Sequence, residues 1–122
     1  MNVTHTDFVF IAVKDFAAAR EFYEGMLGLE CSETYGRHPG GEFETGNLTL
    51  LILQAEAFGL EFRTGTPIAF RVDDVATARA ELEAQGVEFR GDILDTGVCH
   101  QAFFSDPDGN PLILHHRYAP AP

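Results

Sequence analysis

The side chains able to do chemistry in this chain are few and scattered: five histidines, two cysteines and a handful of arginines. The histidines are His5, His38, His100, His115 and His116, and the cysteines are Cys31 and Cys99. Two imidazoles on one rung of a hairpin can bind zinc weakly. If the turn at 106–110 pairs Phe104 with Leu112, His100 falls opposite His116, yet no carboxylate or third nitrogen stands beside them. Cys99 then falls near His115 on the other face, again two ligands short of a site. Neither cysteine belongs to a paired metal motif, so two free thiols in a reducing compartment are expected. Ser32 and Ser105 lack a glycine elbow and a base, while Cys99 and His100, as strand neighbours, point opposite ways. The run Gly36-Arg37-His38-Pro39-Gly40-Gly41 has no lysine–serine pair and no helix after it, so it is no phosphate loop. The expectation is therefore no catalytic residue, no metal ligand and no cofactor.

The elements that must position these groups are written twice. Val9–Val13 leads through Asp15 into an amphipathic helix that stops at Gly28, and Ile68–Val72 leads through Asp74 into another that stops at Gly86. Superposing Asp15 on Asp74 also places Ala19 on Ala78, Arg20 on Arg79 and Glu24 on Glu83. Each copy has an alternating apolar strand, an N-capping aspartate, a helix and a glycine beyond its end. After the first helix we expect strands at 29–35, 42–45 and 48–53, with 36–41 as a loop and Gly46-Asn47 as a hairpin turn. After the second we expect strands at 87–93, 99–104 and 111–116, the last two joined by Asp106-Pro107-Asp108-Gly109-Asn110. The order is βαβββ twice, an α+β chain. One unit alone has too little core, so two should share one, with a binding site between the halves.

Bulk properties narrow the function. The length of 122 residues suits a single domain, made here of modules at about 5–54 and 66–118. A formal net charge of -11 argues against a nucleic-acid partner. It suits a cationic small molecule through the summed field, although solubility alone also accounts for it. No apolar run approaches a membrane span and no basic-then-apolar leader opens the chain, so a cytoplasmic location without membrane association is expected.

Ala19-Arg20-Glu21-Phe22-Tyr23 followed by Leu27-Gly28-Leu29, and Phe104-Ser105-Asp106-Pro107-Asp108-Gly109-Asn110 before a last strand, carry a specific likeness. With the repeat, the chain resembles the vicinal oxygen chelate superfamily, which includes glyoxalase I, extradiol dioxygenases and bleomycin-resistance proteins. The resemblance implies paired βαβββ modules forming a curved, partly closed mixed sheet with helices outside. In metal-dependent members, a histidine or glutamine on each module's first strand and a glutamate on each last strand bind a divalent ion. Those positions here are Phe8 and Pro67, and Ile113 with its counterpart near Leu51. Hydrocarbon cannot replace the water that a hard cation loses.

Strand parity then sorts what would line the cavity. Phe8, Phe10, Glu42, Glu44 and Leu51 from the first module join Arg71, Gln101, Phe103, Ile113 and His115 from the second as candidate ligand-binding residues. Apolar walls with sparse polar groups are the usual make-up of a small-molecule site. Arg71 either pairs with Glu42 or Glu44 or awaits an anionic group. The expected function is metal-free binding of a small organic ligand, cationic or aromatic. The bleomycin-resistance branch implies antibiotic sequestration by an acidic homodimer. The alternative is a lyase, isomerase or dioxygenase with a relocated metal site.

Overall fold

The computed structural model describes all residues, Met1–Pro122, and divides into two compact units, Met1–Gly65 and Thr66–Pro122. In the first, β1 (Phe8–Val13) leads to α1 (Phe16–Arg20), which passes directly into a π-helical segment, Glu21–Met26. Strands β2 (Glu30–Thr34), β3 (Gly40–Glu44) and β4 (Thr49–Gln54) follow, then a 3₁₀ turn, Ala55–Phe58. The second unit runs β5 (Ile68–Arg71), α2 (Val75–Ala84), β6 (Phe89–Asp95), β7 (Cys99–Ser105) and β8 (Pro111–Arg117). Each unit has one four-stranded mixed sheet, in the order β1-β4-β3-β2 or β5-β8-β7-β6, the first pair parallel and the others antiparallel. The architecture is α+β, as the repeat implies.

Both helices begin where an aspartate caps them. Asp15 accepts from the Ala18 amide at 3.2 Å and Asp74 from the Thr77 amide at 2.9 Å. Between capping aspartate and terminating glycine the first helix has one residue more than the second. That extra residue is absorbed by widening the turn, and the Leu27 amide donates to the Phe22 carbonyl at 2.9 Å, an i→i+5 bond. The widened stretch turns both Phe22 and Tyr23 inward, where Tyr23 is fully buried.

Alternation fixes the two faces of each sheet. On one side Ile11, Val13, Phe43, Leu50 and Ile52 are buried, and the Phe43 ring meets those of Phe16 and Tyr23 at 6.2 and 6.3 Å. In the second sheet Ala102, Phe104, Leu112 and Leu114 take the same role, with Phe89 against Phe104 at 4.9 Å. Burying each large side chain contributes roughly 1.5–3 kcal/mol.

Three details depart from the sequence-based expectation. Gly40 and Gly41 belong to β3 rather than to a loop, because the strand needs them. A Cβ on Gly41 would sit 2.7 Å from the Glu33 carbonyl oxygen, and one on Gly40 2.5 Å from Leu53 Cδ2. Bulges interrupt β2 between Cys31 and Glu33, and β6 between Arg90 and Leu94. The 3₁₀ turn Ala55–Phe58 orders part of the segment expected to be least regular.

The β7–β8 turn is held by one buried carboxylate. Asp106 Oδ1 accepts from the amides of Asp108 and Asn110, both at 2.9 Å, and Oδ2 accepts from Asn110 Nδ2 at 2.8 Å. Asp106→Ala leaves these donors unsatisfied, so urea denaturation should show a loss of about 1–3 kcal/mol. An unchanged midpoint would mean that the turn holds itself without the carboxylate.

Candidate functional site

The face of each sheet opposite its buried row is available to solvent, and register states which side chains share it. In the first sheet one rung runs Phe10, Leu51, Glu42, Glu33 and the next Phe8, Thr49, Glu44, Glu30. Phe8 and Phe10 retain 53% and 40% of their accessible surface, too much for core residues. In the second sheet one rung runs Arg71, His115, Gln101, Leu94 and its neighbour Ala69, Ile113, Phe103, Arg90. The ten residues that parity singles out therefore lie on these faces, five to a sheet.

The carboxylates of the first sheet are held by neighbours that parity did not nominate. Ser32 Oγ donates to Glu44 Oε2 at 2.6 Å and Thr49 Oγ1 donates to Glu44 Oε1. These two hydroxyls hold the Glu44 carboxyl below its ordinary range. The Tyr35 hydroxyl donates to Glu42 Oε2, and burial together with that bond pushes the phenol up to about 12. Glu33 reaches the same face as Glu30 only because the Ser32 bulge shifts the parity of β2.

Arg71 is the last residue of β5. Its side chain is exposed and enters no ion pair within its own unit, and Glu42 and Glu44 accept hydrogen bonds within theirs.

The histidine pair across the β7–β8 hairpin also resolves. His100 does lie opposite His116, but their rings serve different partners. His116 Nδ1 is 3.0 Å from the Val72 carbonyl oxygen. His100 Nε2 is 3.4 Å from Asp95 Oδ2, and its ring lies 4.8 Å from that of Tyr118. Asp95 is held below its usual range by the Gly97 amide first and by the Tyr118 hydroxyl next. The Cys99 thiol, on the face of Gln101 and His115, lies 3.1 Å from Thr96 Oγ1 and accepts from Gln101 Nε2 at 3.5 Å. No group of three His, Cys, Asp or Glu side chains is placed to hold a metal ion.

Residues 3–114 match the family described as the Glyoxalase/Bleomycin resistance protein/Dioxygenase superfamily. The chain belongs to that superfamily. Among solved structures it is similar to SMU.1112c, with 27% identity, a TM-score of 0.77 and coverage of 94% of this chain and 100% of that one. It is similar to TnmS3, an antibiotic binding protein from Streptomyces sp. CB03234, with 26% identity, a TM-score of 0.74 and coverage of 96% and 98%. A lactoylglutathione lyase from Agrobacterium tumefaciens shares the fold at 18% identity, with a TM-score of 0.75 and coverage of 94% and 95%. No curated protein matches the chain. No helix is long and apolar enough to cross a membrane.

Register fixes the positions at which this chain would hold the divalent ion of the superfamily's metal-dependent members. Phe10 pairs with Leu51 and Ala69 with Ile113, and Phe10 and Ala69 are repeat equivalents, so Leu51 is the counterpart of Ile113. The four expected ligand positions are then Phe8, Leu51, Pro67 and Ile113, none with a donor atom in its side chain. These residues do not fit the ion.

Replacing Ser32 by Ala removes one of the two hydroxyls on Glu44. Its carboxyl should then titrate closer to the ordinary glutamate value in a carbon-detected NMR titration. Because a depressed carboxylate stabilises the fold above its unfolded pKa and loses that contribution as pH falls through its folded one, the variant should also lose less stability on acidification. An unmoved Glu44 titration would show that Thr49 alone sets it.

Proposed function

We propose that this protein is a metal-free receptor for a small organic molecule, an antibiotic being the leading class, bound on the exposed sheet faces. The observation that supports this most is the replacement of all four ligand positions by hydrocarbon, beside a face that keeps aromatic and hydrogen-bonding groups. Phe8 and Phe10 offer open ring surface, and Gln101, His115 and Arg71 offer donors in one row. Likeness to an antibiotic binding protein at 26% identity favours sequestration over turnover. In this reading the two units work as a single domain, the chain pairs into a homodimer, and its setting is the cytoplasm.

The test is calorimetric titration with a glycopeptide antibiotic and with flat aromatic antibiotics of either charge, followed by amide-shift mapping. At least one should bind with a dissociation constant below about 100 μM, moving amides of β1 and β4 or of β7 and β8. Phe10→Ala should weaken a flat aromatic ligand by roughly tenfold, the worth of a good ring contact. Binding by none of them at high micromolar concentration would remove the antibiotic reading.

A further inference from the structure

The exposed face of the second sheet is opposite in sign to the chain that carries it. Its registered positions hold Arg71, His115, Gln101, Ile113, Phe103 and Arg90, and no registered position there holds Asp or Glu. This occurs in a chain with 19 acidic and 8 basic residues. The first sheet is the reverse, since Glu30, Glu33, Glu42 and Glu44 share its exposed face without a basic residue. A field averaged over the whole chain therefore points to cations, but a ligand on the second sheet meets guanidinium and imidazole first.

Geometry adds selectivity to that charge. Arg71 is beside His115 and His115 beside Gln101, so three hydrogen-bonding side chains cross neighbouring strands at roughly 4.8 Å per step. One pleat away, about 7 Å along the strands, Ile113 and Phe103 present hydrocarbon. Arg90 is kept on this face by its bond to Ser105 Oγ at 2.9 Å. Arg117 shares the face but is spent on the carbonyls of Ala119 and Pro120, at 3.1 and 3.0 Å. Arg71 has no such engagement, and a planar fork is suited to a carboxylate.

We propose that this face binds an aromatic molecule bearing an oxyanion, with the anion on Arg71 beside His115 and Gln101 and the ring against Ile113 and Phe103. The proposal rests on the small-molecule reading and narrows it to a ligand class opposite to the one that net charge suggests.

The experiment compares three probes with one ring system and three charges: naphthalene-2-carboxylate, 2-naphthalenemethanol and 2-naphthylmethylammonium. Each is titrated into the full chain and followed by amide shifts. The carboxylate should bind at least about tenfold more tightly than the ammonium, and Arg71→Gln should cost the carboxylate roughly tenfold while changing the alcohol by less than about twofold. Arg63→Gln makes the same change in net charge at an exposed loop position, so it separates contact from overall field and should leave all three affinities unchanged. An equal or tighter affinity for the ammonium, or a carboxylate affinity indifferent to Arg71→Gln, overturns the anion assignment while leaving small-molecule binding intact. Binding of none of the three overturns the anion assignment as well, while the small-molecule reading stands or falls with the antibiotic titration.

Discussion

In each sheet one row of side chains has to stay dry, and that constraint decides which atoms the opposite face can offer. Phe43, Leu50 and Ile52 in one sheet and Phe104, Leu112 and Leu114 in the other are buried almost completely. A slip of one residue would expose these rows and bury Glu42, Arg71 and Gln101 in their place. The turns enforce the same register. Asp106 closes the β7–β8 turn with every carboxylate oxygen engaged, and Thr45 Oγ1 closes the shorter β3–β4 turn by donating to the Leu48 carbonyl at 2.8 Å. The chemistry of the exposed faces follows from packing on the hidden ones.

The two modules keep one plan and diverge in what they display. Equivalent positions carry Phe10 and Ala69, Glu42 and Phe103, or Leu53 and His115. One sheet consequently offers aromatic rings and carboxylates, and the other donors and guanidinium. At physiological salt a charge is screened over about 8 Å, so the groups on a ligand's own face outweigh the rest of the surface. This is why a net charge of -11 is a poor guide to the charge that the second sheet presents.

Much of this was legible from the chain alone. The repeat, the capping aspartates, the glycines past the helices and the Phe104–Leu112 pairing all rest on local periodicity and turn chemistry, which act within a few residues. What escaped depends on neighbours distant in sequence. Gly40 and Gly41 look like loop breakers until Glu33 and Leu53 are seen against them. The partners of Glu42 and Glu44 are a tyrosine, a serine and a threonine from adjoining strands, and nothing in their spacing announces it. Leu94 meets Gln101 after a bulge whose length no alternation rule supplies. The π segment goes with one extra residue between cap and glycine, a difference that the periodicity of the helix does not mark and the widened turn in the structure does.

The claim on which the functional reading turns is that the surface inherited from metal-binding relatives has lost its donors. Metal analysis of the protein, purified without chelators from medium supplemented with zinc, nickel, iron and manganese, addresses it directly. Far less than one equivalent of any of them should remain on the chain. One equivalent of a single metal, retained by the chain and shifting the amides of Phe8, Leu51 or Ile113 when it is loaded, would contradict it.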